Sequence, residues 1–72
     1  MEDKILSIMR DVFEDMTVNE TCSQSNCEKW DSLHHLNLIS ELEDEFDVEF
    51  EPEEIAEMRD FTAVRDVLIA KL

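Results

Sequence analysis

Apolar residues recur at steps of three and four along the first part of the chain: Ile5, Ile8, Met9, Val12, Phe13 and Met16. With Lys4, Arg10, Asp11 and Glu14 on the other side, the pattern predicts an amphipathic helix over about 3–16. From 17 to 30 the period disappears and Ser, Thr and Asn accumulate. This reads as a long loop pinned to the core by Val18 and Trp30, and a loop of that length in a small domain is usually functional. A second helix should start at Asp31 or Ser32 and run to about 47. Leu33, Leu36, Ile39, Leu42 and Phe46 form its expected buried stripe, with Asn37, Glu41, Asp44, Glu45 and Asp47 outward. The run EPEE places Pro52 at a first helical position with acids around it, predicting a short third helix through Met58 that packs through Ile55 and Met58. Asp60 is the expected cap of a last helix whose inward face is Phe61, Val64, Leu68 and Leu72, widened by Val67 and Ile69.

The expected fold is therefore all-α: a small four-helix bundle with a long first loop and a short third helix, forming one domain over residues 1–72. Glycine is absent and Pro52 is the only proline, so tight hairpin turns are hard to build and polar-looped helices are easy. A chain of 72 residues has room for a single core, and at this size folding buries only about 60% of the surface of the unfolded chain. That argues against a deep catalytic cleft, and no enzymatic activity is expected.

Charge narrows the partners. Twenty acidic residues against six Lys plus Arg leave a formal net charge of −14. Nucleic acid and anionic lipid would be repelled, whereas proteins with basic surfaces would be attracted. The opening MEDKILSIMR carries two acids beside its lysine and fits neither a secretion signal nor a membrane span, so a cytoplasmic monomer without membrane insertion is expected. In that compartment Cys22 and Cys27 read as free loop thiols. A zinc site built from them with His34 and His35 is disfavoured, because adjacent residues on a helix diverge by about 100°. No metal is expected, and both histidines read as surface residues.

Ser32 is the residue with the most distinctive setting. If Asp31 caps the second helix, Ser32 falls in the first turn with its hydroxyl free and exposed. The positive end of the helix dipole lies there and would favour an esterified phosphate by up to about 1 kcal/mol. A serine hydrolase would also need a positioned base and an oxyanion hole, and no glycine turn or pocket accompanies His34 and His35.

Asp31-Ser32-Leu33, the following run ELEDEFDVEF, the acidic-proline start of the third helix and the closing amphipathic helix together resemble the acyl carrier proteins, over the whole chain. The resemblance implies that Ser32 carries a covalent 4′-phosphopantetheine arm, donated from coenzyme A by a phosphopantetheinyl transferase that also recognises Asp31 and Leu33. The arm's thiol would hold acyl groups as thioesters. Acyl-loading and acyl-processing enzymes with basic surfaces would grip Leu36, Ser40, Glu43 and Asp44, and the bundle could part between its second and third helices to admit an acyl chain among Leu42, Phe46, Ile55 and Met58. Ordinary core is the other reading of those four residues. Many fatty-acid carriers have glycine and a small residue before the Asp-Ser-Leu triplet and an acid after it; this chain has Lys29-Trp30 and His34, with Asn37 and Ser40 also departing from the common pattern. The Trp-Asp-Ser-Leu start is similar to carriers of specialised, polyketide-like pathways. Fatty-acid biosynthesis, an aminoacyl or peptidyl cargo, and an unmodified acidic interaction module stay open at this point.

Overall fold

In the computed structural model, which describes all 72 residues, the first apolar stripe forms α1, Glu2–Phe13. Ile5, Leu6, Met9 and Phe13 are buried, and Ile8 and Val12 pack against the same core from its edge. The helix stops earlier than the periodicity predicts. Glu14 adopts a left-handed conformation at φ 54° and returns its N–H to the carbonyls of Arg10 and Asp11. Asp15 Oδ1 then accepts both the N–H and the hydroxyl of Thr17, at 2.9 and 2.6 Å. These local bonds replace a further helical turn, so Met16 is 77% exposed instead of extending the stripe.

The following loop is tied down along its length. Val18, Cys22 and Trp30 are buried, and Arg10 Nε donates to the Val18 carbonyl at 2.9 Å. Phe61 N–H donates to the Cys22 carbonyl at 3.0 Å and Gln24 N–H to the Arg59 carbonyl at 2.9 Å, a short antiparallel bridge that fastens the loop to the segment 59–61. Cys22 is consequently a core residue and not a surface loop thiol.

α2 is Ser32–Phe46. Its buried residues are His35, Leu38, Ile39 and Leu42, with Phe46 half-buried. Leu33 and Leu36, expected inside, are 67% and 59% exposed. The correction is geometric: Leu33, Leu36, Ile39 and Leu42 follow strict steps of three, and at about 100° per residue that series turns through about half a circle from first to last. The series 35, 38/39, 42, 46 stays on one face. His35, expected on the surface, therefore lies inside.

α3 is Pro52–Glu57, with Glu51 as its N-cap and Met58 as its C-cap. Glu54 Oε1 accepts the Glu51 N–H at 2.7 Å, so the acid of the first turn closes the helix start. No residue inside α3 is fully buried; Ile55 packs against the core while partly exposed, and the flanking Phe50 and Met58 are buried. α4, Phe61–Lys71, is capped by Asp60, whose Oδ1 accepts the Ala63 N–H at 2.7 Å. Phe61, Val64 and Leu68 are buried as expected and Val67 packs at the edge. Ile69 is 51% and Leu72 61% exposed. Leu72 keeps the phase of the stripe but stands past the last helical turn, and Ile69 lies one residue beyond the buried position 68. The four helices enclose one core, with α1 packed mainly on α2. No helix is long and apolar enough to cross a membrane.

Candidate functional site

Ser32 is the first residue of α2 and is exposed. Asp31, in extended conformation at φ −95°, caps the helix: its Oδ1 accepts the His34 N–H at 2.9 Å and the His34 ring Nδ1–H at 2.8 Å. Those bonds from His34 hold the Asp31 carboxyl below the usual carboxylate range. Because Asp31 does the capping, the Ser32 hydroxyl is left without an intramolecular partner at the positive end of a fifteen-residue helix that has no acid in its first turn. His34 is engaged by Asp31 and does not activate the serine.

Behind Ser32 lies a rigid floor. Trp30 stacks at a tilt on Phe13, ring centroids 5.2 Å apart, and its Nε1–H donates to His35 Nδ1 at 2.9 Å. The other nitrogen of His35, Nε2, donates to the Ile55 carbonyl at 2.8 Å. The imidazole is thus the neutral Nε2–H tautomer with both nitrogens satisfied. A trough of about 440 Å³ opens beside the serine, lined by Gln24, Trp30, Asp31, Ser32, His35 and Leu36.

The remaining expected site residues fall into two groups. Leu33, Leu36, Ser40 and Asp44 are all exposed, and their spacing puts them on one face of α2 that begins beside Ser32. Glu43 flanks that face and is half-buried, because its Oε2 accepts the Phe50 N–H at 2.9 Å and so braces the link between α2 and α3. Leu42 and Met58 are fully enclosed in the core, whereas Phe46 and Ile55 pack against it while partly exposed. All four thus belong to the single core or its edge. The other two cavities are elsewhere: one of about 680 Å³ between α1 and α2 and one of about 460 Å³ in the first loop.

The cysteines and histidines do not converge. His34 faces Asp31, and His35 faces Trp30 and Ile55. The Cys22 thiol, beside Cys27, is pushed up to about 12 by burial and by its contact with that second thiol. Sequence reasoning overlooked His35 as a site residue. Its signal was present: it stands four and seven residues before Ile39 and Leu42, in phase with the true buried face, and five residues after the only tryptophan.

No protein-family model matches the chain, and no curated protein does. Among solved structures it is similar to the solution NMR structure of a holo acyl carrier protein from Geobacter metallireducens. That likeness has a TM-score of 0.87 and 29% identity, and covers 97% of this chain and 83% of the other.

Proposed function

We propose that this chain, which is similar over 97% of its length to a holo acyl carrier protein, holds acyl intermediates as thioesters on a 4′-phosphopantetheine arm esterified to Ser32 and presents them to successive biosynthetic enzymes. The observation that carries this reading is the placement of Ser32: an exposed hydroxyl, free of internal bonds, at the N-terminus of a long capped helix. The similar Geobacter protein is a holo form. The new phosphodiester would sit at the positive end of the helix dipole, and the trough along Trp30 and Leu36 leaves room for the arm to emerge.

Asp31 and Leu33 flank the modified residue and would be read by the phosphopantetheinyl transferase. Leu36, Ser40 and Asp44, with Glu43 at the edge, would meet the basic surfaces of loading and processing enzymes, the leucines supplying apolar contact and the acids steering encounter. The carrier performs no bond chemistry of its own and works as a cytoplasmic monomer, serving fatty-acid or specialised, polyketide-like biosynthesis. A cargo chain would enter between α2 and α3 among Leu42, Phe46, Ile55 and Met58, an entry that requires α3 to shift, since Leu42 and Met58 are enclosed.

Intact mass after incubation with coenzyme A and a broad-specificity phosphopantetheinyl transferase tests the proposal. One phosphopantetheine should be gained, and Ser32→Ala should abolish the gain while helical circular dichroism is unchanged. Modification at Ser7, Ser23, Ser25 or Ser40, or none at all, overturns it.

A further inference from the structure

His35 is the one buried polar residue of the molecule, and nothing in the carriage of a thioester requires an imidazole there. Its two hydrogen bonds connect the end of the first loop, α2 and, twenty residues further on, α3. Nδ1 takes the indole N–H of Trp30, the last residue of the first loop before the cap, and Nε2–H reaches the carbonyl of Ile55 in α3. α3 needs such help. A six-residue helix is too short to sustain itself, and it buries no residue completely. Beyond the apolar packing of Ile55 and of the flanking Phe50 and Met58, its polar ties to the other helices are two. Glu54 pairs with Lys71 of α4 at 2.7 Å on a partly exposed side, and His35 holds the side facing α2. Of these, the bond at His35 is part-buried and joins an imidazole that is itself buried, so it is less open to competition from water and salt than the Glu54–Lys71 pair.

We propose that His35 is the clasp of the seam between α2 and α3: a positioning residue that sets how far α3 parts from α2 and so how readily a cargo chain enters among Leu42, Phe46, Ile55 and Met58. The claim on cargo rests on the carrier reading above; the claim on α3 does not. Trp30 is part of the device. By donating to Nδ1 it fixes the tautomer in which Nε2 carries the proton, and only that tautomer can donate to the Ile55 carbonyl. Parting the seam breaks the bond at Nε2 and leaves the ring held by Trp30, ready to close again. Because Trp30 and His35 also line the trough beside Ser32, the clasp lies next to the point where the arm is attached.

Two measurements on the unmodified full chain test the clasp. Long-range proton–nitrogen NMR should show His35 with a protonated Nε2 and a bare, pyridine-type Nδ1; the opposite tautomer overturns the proposal. Hydrogen exchange should then be compared among the wild type, His35→Phe and Trp30→Phe. Amides of 54–58 should exchange at least tenfold faster in His35→Phe and by a smaller factor in Trp30→Phe, while those of α1 and the α4 centre keep their wild-type rates. Equal acceleration throughout the chain would mean that His35 only contributes global stability, and unchanged exchange in α3 would mean that it holds nothing; either result overturns the clasp. For the cargo, the holo protein is loaded with butyryl and with dodecanoyl thioesters and treated with hydroxylamine. His35→Phe should protect the dodecanoyl thioester severalfold better than the wild type and leave the butyryl rate unchanged; equal rates for both cargoes refute control of entry. Failure to gain the arm would sink the carrier reading and leave the exchange result standing.

Discussion

Asp31 and His34 are joined twice: one carboxylate oxygen of Asp31 accepts both the backbone N–H and the ring Nδ1–H of His34, at 2.9 and 2.8 Å. The carboxylate is thereby engaged by His34 and makes no hydrogen bond to the Ser32 hydroxyl. Capping and recognition can be separated on this basis. Asp31→Asn keeps an oxygen for the His34 N–H and should change stability by less than about 0.5 kcal/mol, whereas Asp31→Ala loses the cap and should cost about 1 kcal/mol. If the transferase reads the negative charge, both variants should be modified more slowly at Ser32 to a similar degree. Slowing in Asp31→Ala alone would show that only the helix start matters. Urea denaturation and a mass-based time course measure the two effects.

The exposed face of α2 should act on encounter more than on folding. Asp44→Lys reverses a charge on the face shared by Leu36 and Ser40 without touching the buried His35, Leu38, Ile39 and Leu42. Stability should change by no more than roughly 0.5 kcal/mol. Modification and loading should slow, and the loss should shrink at high salt as screening weakens the wild-type attraction. Asp66→Lys on α4 is the control for net charge; it also removes an exposed pair with Arg65 at 3.1 Å, worth at most about 1 kcal/mol. Equal slowing by both variants would assign the effect to overall charge.

What could be read from the sequence and what could not follow from the range of the interactions involved. The starts of α2, α3 and α4 were legible because Asp31, Glu51-Pro52 and Asp60 act on backbone groups a few residues away. The exposed serine followed from the first of these. The buried face of α2 was misread because evenly spaced leucines look like a stripe, although steps of three drift around the helix. The periodicity thus assigned Leu33 and Leu36 to the core, although the resemblance named both as contact residues; both are exposed. His35 was missed because a histidine fits a surface as well as an interior, and its interior place depends on Trp30 and on an Ile55 carbonyl twenty residues on. The burial of Cys22 likewise depends on its bridge to Phe61, which no local pattern announces.

Cys22 and Cys27 should respond differently to replacement. Cys22→Ser puts a hydroxyl into a buried apolar site and should cost roughly 1–3 kcal/mol, whereas Cys22→Ala loses only a small side chain and should cost less. Cys27 is half-buried, so Cys27→Ser should cost less than Cys22→Ser. With its thiol pushed up to about 12, Cys22 should remain protonated at pH 8 and resist iodoacetamide in the folded protein. Mass spectrometry of the alkylated chain checks this: rapid labelling of Cys22 without denaturant would show that the loop opens freely. Because folding favours the protonated thiol, its contribution is present below the unfolded thiol pKa and is lost as pH rises through the alkaline range.

Acid titration should give a stability profile with a maximum below neutrality. Three exposed carboxyls are held below their ordinary range: Asp15 by the Thr17 hydroxyl and N–H, Asp31 by His34, and Glu54 by the Glu51 N–H and then Lys71. A lowered carboxyl stabilises the fold above its unfolded pKa, and the contribution disappears as pH falls through the folded pKa, so these groups weaken the protein only below about pH 4. Between pH 7 and about 5 the larger effect is the net charge of −14, which partial protonation of the other acids begins to reduce. The urea midpoint should therefore rise from pH 7 to about 5 and fall below about 4, with the rise flattened in 0.5 M sodium chloride, where repulsion is already screened. A midpoint that falls steadily from pH 7 to 5, or a rise that 0.5 M sodium chloride leaves unchanged, would show that self-repulsion does not limit the stability of the fold.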